Sequence, residues 1–112
     1  MTPEAVVQEQ LLAYNARDLD RFLAMYADDV RAYRPPAIDP ALTGKESFAA
    51  FYAGQRFNRT GLHAELRNRI VIGNRVIDHE RIAGVREQPF EVAVVYAVAD
   101  GLIQCTWTFA AE

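Results

Sequence analysis

The chain has 112 residues, of which 51% are apolar and 24% are charged, and its formal charge of −3 offers no excess basic surface for a nucleic acid. The composition is typical of one globular domain spanning residues 1–112, without an apolar run long enough to cross a membrane. The single cysteine excludes an internal disulfide, and because the N-terminus lacks a signal-peptide pattern we expect a cytoplasmic protein.

Two amphipathic helices are predicted at the start of the chain. Thr2 is placed to cap the first helix, on which Gln10 and Tyr14 recur at helical spacing among apolar residues. Asp18 is placed to cap the second helix, whose apolar stripe runs as far as Tyr26. Each helix therefore has one face suited to packing against a sheet.

A short strand and a third helix are predicted next. The strand covers residues 30–34, and a proline-rich loop leads from it to Thr43. Thr43 and Glu46 have the spacing of a capping box, which predicts that Thr43 caps the third helix. This helix presents Tyr52 on one side, and Phe57 lies near its end.

Strand signals occupy the second half of the chain. From residue 63 onward the hydrophobic period falls to two. Four strands are predicted, over residues 63–72, 75–83, 90–99 and 102–109. Gly73-Asn74 and Asp100-Gly101 are typical of tight hairpin turns. Helices followed by an antiparallel meander predict an α+β fold in which a curved sheet wraps around the helices.

Several segments resemble one known family. Tyr14–Asp20 and Ala27–Val30 are similar to the opening of ketosteroid isomerases and SnoaL-like proteins. Val76–Arg81 resembles a central strand of SnoaL-like proteins, and Tyr96–Ile103 followed by Trp107 resembles their closing hairpin. The resemblance covers nearly the whole chain and lies within the nuclear transport factor 2-like superfamily. It implies a cone-shaped α+β barrel, with three helices packed in the concave face of the sheet, and a homodimer.

The catalytic residues of ketosteroid isomerases are not matched. The resemblance puts Arg34 where those enzymes have an aspartate general base, and Gln10 in place of the tyrosine of their oxyanion hole. Val95 falls at or near the position of their second oxyanion donor. An arginine does not abstract a proton at neutral pH. We therefore do not expect steroid isomerisation by that mechanism.

Limonene-type epoxide hydrolases are matched at one catalytic position. Arg81 stands where those enzymes have an arginine, whereas Ala83 and Thr108 replace their two aspartates. The family also contains cyclases, dehydratases and non-catalytic modules, so the resemblance implies the fold and not one reaction.

The strand over residues 75–83 carries the candidate catalytic residues. The resemblance points His79 and Arg81 into the cone, where His79 is a candidate acid/base and Arg81 polarises a carbonyl or holds a carboxylate. A core histidine and a structural salt bridge are the non-catalytic alternatives. A shift of one residue in the register exchanges the two faces of the strand and makes Asp78 and Glu80 the acids of the pocket.

Further residues are predicted to bind the ligand. Gln10 either donates to a ligand oxygen or bonds Tyr52 or a backbone carbonyl. Arg34 either holds a carboxylate of the ligand or pairs with an internal acid such as Glu65. The remaining candidates come from the aromatic residues of the helical half and from one face of the last strand: Tyr14, Tyr52, Phe57, Thr106 and Thr108.

The sequence predicts a pocket for a small apolar molecule but does not name a reaction. No spacing indicates a metal site or a phosphate loop, so no metal or cofactor is expected. The first hypothesis is an isomerase, lyase or cyclase that acts on a small apolar carbonyl compound or acid. The second is a non-catalytic module with a filled cone, which forms a homodimer or binds a protein through an outer row containing Trp107 and Phe109.

Overall fold

The structure, a computed structural model, describes residues 1–111. The described chain contains three helices and six strands: α1 Pro3–Ala16, α2 Leu19–Leu23, β1 Tyr26–Tyr33, β2 Leu42–Thr43, α3 Lys45–Gln55, β3 His63–Ile72, β4 Arg75–Ala83, β5 Phe90–Ala99 and β6 Leu102–Ala110. The strands form one sheet in the order β2-β1-β6-β5-β4-β3. Strands β1 and β6 are parallel, and the other neighbours are antiparallel.

The predicted α+β fold is confirmed. The helices pack on the concave face of the curved sheet, as in the cone of the nuclear transport factor 2-like superfamily. None of the helices in residues 1–111 is long and apolar enough to cross a membrane.

The first two helices begin as predicted. Thr2 is extended, and its Oγ1 accepts a hydrogen bond from the backbone N–H of Ala5 at 3.1 Å. Arg17, with φ of 54°, ends α1 in the left-handed conformation. The Asp18 carboxylate then caps α2 by accepting from the N–H of Arg21 at 3.2 Å.

Two predictions for the helical half were wrong. Helix α2 ends at Leu23, because Tyr26 already pairs with Ile103 of β6 as part of strand β1. Thr43 does not cap α3, because it belongs to strand β2 and pairs with β1. The N-cap of α3 is Gly44, which has φ of 87° and offers no side chain.

An aromatic cluster joins the helices to the sheet. The ring centroid of Phe22 lies 4.9 Å from that of Tyr26 and 4.6 Å from that of Tyr52. Phe57 lies 5.2 Å from Phe22 in an edge-to-face arrangement. Such pairs contribute about 0.5–1.5 kcal/mol each beyond the burial of apolar area. The cluster fills much of the cone and limits the space left for a ligand.

A β-bulge in β3 decides which side chains face the interior. The pairing of β3 with β4 shifts by one residue between Leu66 and Asn68. Regular alternation from Leu66 would send Arg69 to the convex face. The extra residue instead places Arg69 on the concave face, where it pairs with Asp78.

The face predicted for β4 was wrong. Asp78 and Glu80 are buried and face the helices, whereas His79 and Arg81 are exposed on the convex side. The two-residue alternation itself is as expected. Val76 and Ile82, near the two ends of β4, are both buried in the core. Because side chains alternate along a strand, Asp78 and Glu80 must face the core with them.

A row of apolar side chains crosses the convex face. Its members are neighbours in register on five strands: Tyr33, Trp107, Val95, Ile77 and Ile70. The Tyr33 and Trp107 rings stack with 5.7 Å between their centroids. We call this row the convex belt.

Candidate functional site

The cone encloses a cavity of about 150 Å³. An engineered apolar cavity of about this volume holds benzene, whereas typical ligand sites measure roughly 300–1,000 Å³. The interior is therefore neither solidly filled nor as spacious as a typical ligand site. It has room for about one six-membered ring.

The structure brings most of the predicted ligand-binding residues together. Six of them line the cavity: Gln10, Tyr14, Arg34, Tyr52, Thr106 and Thr108. Phe57 does not line it and instead packs against Tyr52 in the aromatic cluster, with 5.8 Å between ring centroids. The two predicted catalytic residues, His79 and Arg81, lie outside the cavity.

His79 takes part in a surface contact. Its Nε2 lies 2.6 Å from Oε1 of Glu91, and both side chains are about half exposed. Arg81 is also exposed and is the register neighbour of Glu91. The catalytic roles predicted for His79 and Arg81 required side chains inside the cone, and neither residue meets that requirement.

Glu80 occupies the interior position on β4. Its side chain is 5% exposed and borders the cavity. No hydrogen bond from a described residue contributes to its pKa shift. Among the described residues no fully enclosed side-chain oxygen or nitrogen lacks a partner, so the carboxyl oxygens of Glu80 are open to the cavity. Burial, followed by the nearby Asp78 carboxylate, raises the pKa of Glu80 to about 8, although the charge of Arg69 opposes the shift. At pH 7 Glu80 is therefore mainly a neutral acid that can donate a hydrogen bond into the cavity.

Asp78 has the partner that Glu80 lacks. The Nε and Nη2 atoms of Arg69 donate to the Asp78 carboxylate at 2.7 and 3.0 Å. The Nη1 atom of Arg69 donates to Gln8 of α1 at 2.9 Å. Hydrogen bonding to Asp78 raises the pKa of Arg69. The pair links β3, β4 and α1 beyond the cavity and is structural.

Tyrosine side chains share the cavity wall with Glu80. Four tyrosines line the cavity: Tyr14, Tyr26, Tyr52 and Tyr96. Burial, together with the charge of Glu80, raises the pKa of each, so all four remain protonated donors at neutral pH. The Tyr26 hydroxyl donates to Oε1 of Gln10 at 3.1 Å. Gln10 is thus bonded to Tyr26 and not to Tyr52, and its amide nitrogen remains for a ligand.

Arg34 lies at the mouth of the cavity and is exposed. Its predicted alternative partner, Glu65, contacts Arg67 instead at 3.4 Å. A structural salt bridge between Arg34 and Glu65 is therefore not formed.

The profile of the SnoaL-like domain matches residues 7–105. The chain belongs to the SnoaL-like family. No curated protein matches the sequence. Within residues 1–111 of this SnoaL-like protein, no group of three or more His, Cys, Asp or Glu residues is arranged to hold a metal ion.

Solved structures share the fold of this SnoaL-like protein. An uncharacterised protein from Novosphingobium aromaticivorans is 22% identical, with 97% of this chain and 98% of that chain covered and a TM-score of 0.87. A proposed ketosteroid isomerase from Kribbella flavida is 20% identical, covering 98% and 78%, with a TM-score of 0.84. A proposed polyketide cyclase from Sinorhizobium meliloti is 16% identical, covering 94% of each chain, with a TM-score of 0.81. These identities establish a common fold and no common activity.

Three polar residues of the cavity were missed as candidates: Tyr96, Arg56 and Arg86. Tyr96 lies on the most apolar strand, where an inward tyrosine is indistinguishable from a core residue. Arg56 and Arg86 follow the ends of α3 and β4, and residues outside regular elements carry no periodic signal. The alternative phase of β4, which makes Glu80 a pocket acid, was available from the sequence.

Proposed function

We propose that this SnoaL-like protein binds a small, largely apolar carbonyl compound and transfers a proton on it, with Glu80 as the acid/base. The observation that carries the proposal is a buried carboxyl group without a described protein partner, placed on the inner wall of the cavity. A pKa of about 8 suits this role, because a group that titrates near the working pH serves as both proton donor and proton acceptor.

The proposed chemistry needs no cofactor. At pH 7 roughly a tenth of Glu80 is ionised, given a pKa about one unit higher. That form removes a proton from the carbon next to the carbonyl group, while tyrosine hydroxyls and the Gln10 amide stabilise the charge on the oxygen. Where the substrate has a C=C bond next to the deprotonated carbon, protonated Glu80 then returns the proton to the far carbon of the conjugated enolate, and the shift of the double bond completes an isomerisation. We propose that this activity takes place in the cytoplasm.

Deuterium exchange tests the proposed proton transfer. Cyclohexanone matches the cavity in size, and its α-protons exchange slowly with D₂O in buffer. We expect the wild-type protein to accelerate this exchange, measured by NMR, with a rate that rises with pH and levels off above about pH 8. Glu80→Gln should lower the rate about 10²–10⁴-fold, which is the usual contribution of a general acid or base.

Glu91→Gln is the matched control, since Glu91 is the exposed acid beside His79 on the convex face. We expect this variant to exchange cyclohexanone at the wild-type rate. Exchange by Glu80→Gln at the wild-type rate would exclude Glu80 as the acid/base. No acceleration by the wild type over buffer would contradict proton transfer on cyclic ketones of this size.

A second candidate function is favoured by the convex belt. The belt is centred on Val95 of β5, with Tyr33 and Trp107 on one side and Ile77 and Ile70 on the other. A two-fold axis that passes through its centre, in the plane of the interface and perpendicular to the belt, would lay the aromatic end of one copy on the aliphatic end of another. We propose that a second copy of this chain covers the belt. Such a homodimer is compatible with a role in assembly rather than in catalysis.

Light scattering after size exclusion tests this assembly. We expect the wild-type protein to elute as a dimer and Val95→Arg, at the centre of the belt, to elute as a folded monomer. Leu12→Arg, at an exposed position on α1, should remain dimeric. A monomeric wild type at high concentration would contradict the homodimer.

A further inference from the structure

The mouth of the cavity is positively charged. Three of its lining residues are arginines: Arg34, Arg56 and Arg86. Glu80 is the only acid among the described lining residues, and it is mainly neutral at pH 7. Within residues 1–111, none of the three arginines forms an ion pair with an acidic side chain. A cationic opening therefore leads to an interior that is largely uncharged.

Two of these arginines rest on aromatic rings. The Cζ atom of Arg56 lies 4.9 Å from the centroid of the Phe51 ring. The Cζ atom of Arg86 lies 3.8 Å from the centroid of the Phe90 ring. Both rings also line the cavity. A cation–π contact holds a guanidinium group in place without neutralising its charge.

The Nη1 atom of Arg56 donates to the backbone carbonyl of Gln55 at 2.9 Å, and that of Arg86 donates to the carbonyl of Ala111 at 3.0 Å. The remaining N–H groups of each guanidinium are available to an anion.

Arg34 and Arg56 lie close enough to repel each other. The pKa of Arg56 is lowered, mainly by burial and also by the charges of Arg34 and Arg59. Like charges held together without an acid are unfavourable, and a bound anion relieves that repulsion. The pKa of Tyr52 is raised by burial; the charges of Arg34 and Arg56 oppose this shift and that of Glu80 adds to it. Tyr52 therefore lies between the arginines at the mouth and the acid inside the cavity.

We propose that the ligand is a small keto acid, whose carboxylate is held by Arg34 and Arg56 and whose single ring or short apolar body carries the carbonyl group into the cavity. A planar carboxylate matches the paired donors of a guanidinium group. The cavity of about 150 Å³ accepts about one six-membered ring. This inference rests on the proposed function, because it names the substrate class of the same cavity.

Ionisation of Glu80 sets an upper pH limit for such a ligand. The titratable and charged groups around Glu80 come from six elements: Tyr14, Tyr26, Tyr52, Arg69, Asp78 and Tyr96. The tyrosines stay neutral, and the Asp78 carboxylate is balanced by Arg69. Above about pH 8 ionised Glu80 therefore adds a negative charge to a cavity that has no other ionised acid on its described lining. It should weaken the binding of an anion and leave that of a neutral ligand unchanged.

Benzoate and benzamide form the matched pair of probes, since they have the same shape and differ in charge. Dissociation constants are measured by NMR titration at pH 6.5 and low salt. We expect the wild type to bind benzoate at least about tenfold more tightly than benzamide. Arg34→Gln and Arg56→Gln should each weaken benzoate binding about tenfold and leave benzamide binding unchanged. Arg31→Gln is the control, because Arg31 is exposed on β1 and does not line the cavity.

The outcomes separate this inference from the proposed function. Equal binding of benzoate and benzamide by the wild type overturns the carboxylate inference, and so does unchanged benzoate binding in both Arg34→Gln and Arg56→Gln. Neither result contradicts the proposed proton transfer by Glu80. Displacement of benzoate by an equal concentration of inorganic phosphate also counts against a carboxylate site. If neither benzoate nor benzamide binds, the inference is overturned, because the cavity then does not accept a six-membered ring. Weaker benzoate binding between pH 7 and 9 in the wild type, with no change in Glu80→Gln, supports it.

Arg34 is exposed, so its variant tests the inference even if Arg56→Gln fails to fold.

Discussion

Two carboxyl groups lie two residues apart on the same face of β4, and their surroundings differ. Asp78 is fully buried and accepts two N–H groups from Arg69. Glu80 is almost as buried, and no hydrogen bond from a described residue contributes to its pKa shift. The bulge in β3 accounts for the difference, because it delivers Arg69 to the position opposite Asp78.

The comparison shows that the presence or absence of a cationic partner decides whether a buried carboxyl group serves the fold or can take part in proton transfer. A buried carboxylate with its own cation stays charged and ties elements together. A buried carboxyl group without a cation becomes neutral near pH 7 and can exchange its proton with a ligand. The two sites are also coupled, because the Asp78 carboxylate helps to raise the pKa of Glu80.

Removing the cation from the paired site should have the largest effect. Arg69→Met leaves the Asp78 carboxylate buried without a partner. We expect a loss of about 3–5 kcal/mol in the free energy of unfolding, which is typical of a broken buried ion pair. Urea denaturation monitored by tryptophan fluorescence measures the change.

The double variant Arg69→Met/Asp78→Val is the control for that experiment. Removing both charges leaves no uncompensated carboxylate, so its stability should lie closer to the wild type than that of Arg69→Met alone. If the double variant is no more stable than the single one, the cost arises from packing of the Arg69 stem and not from the unpaired charge.

Removing the acid from the unpaired site should change the pH dependence of stability. The folded-state pKa of Glu80, about 8, lies above its ordinary value of 4.5. The folded protein therefore holds a proton that the unfolded chain releases, and stability falls as pH rises between these two values. The slope is about 1.4 kcal/mol for each pH unit.

Glu80→Gln lacks this titration. The difference in unfolding free energy between Glu80→Gln and the wild type should therefore grow in favour of the variant from pH 4.5 to pH 8 and then stay constant. Denaturation series at several pH values measure it, with Glu91→Gln as the exposed control. A difference that does not vary with pH would contradict a raised pKa at Glu80.

Local signals explain why most of the fold was predictable. The Thr2 and Asp18 caps act within a few residues, and so do the turns at Gly73-Asn74 and Asp100-Gly101. The parallel pairing of β1 with β6 joins residues far apart in the chain, and it was missed. This pairing also explains why Tyr26 belongs to β1, although its spacing from Phe22 and Leu23 is that of a helix.

The site was less predictable because both faces of β4 carry polar side chains. His79 and Arg81 alternate with Asp78 and Glu80, so periodicity cannot choose between the two faces. The bulge before Asn68 has no sequence signature, and without it Arg69 would face outward. The cavity depends on how the aromatic rings pack, which composition does not determine.

Changing the charge of the paired site should move the titration of the unpaired one. Asp78→Asn removes a carboxylate that raises the pKa of Glu80 and leaves the opposing charge of Arg69 uncompensated. We expect the pKa of Glu80 to fall by about one to two units. Carbon-13 NMR titration of the glutamate carboxyl groups measures it, with Glu80→Gln assigning the signal. An unchanged pKa would mean that burial alone sets it.

A neutral polar pair beside Glu80 should give the smallest effect. Tyr26→Phe removes the hydroxyl that donates to Oε1 of Gln10 and leaves that buried oxygen without its partner. We expect a loss of about 1–2 kcal/mol, because a neutral hydrogen bond is weaker than the ion pair between Arg69 and Asp78. Thermal and urea denaturation measure it, and Tyr26→Phe/Gln10→Leu should recover part of the loss. Phenylalanine keeps the ring in the aromatic cluster, so a loss as large as that of Arg69→Met would show that the hydroxyl–amide pair matters as much as the ion pair. The distinction between charged and neutral pairs in this cone would then no longer hold.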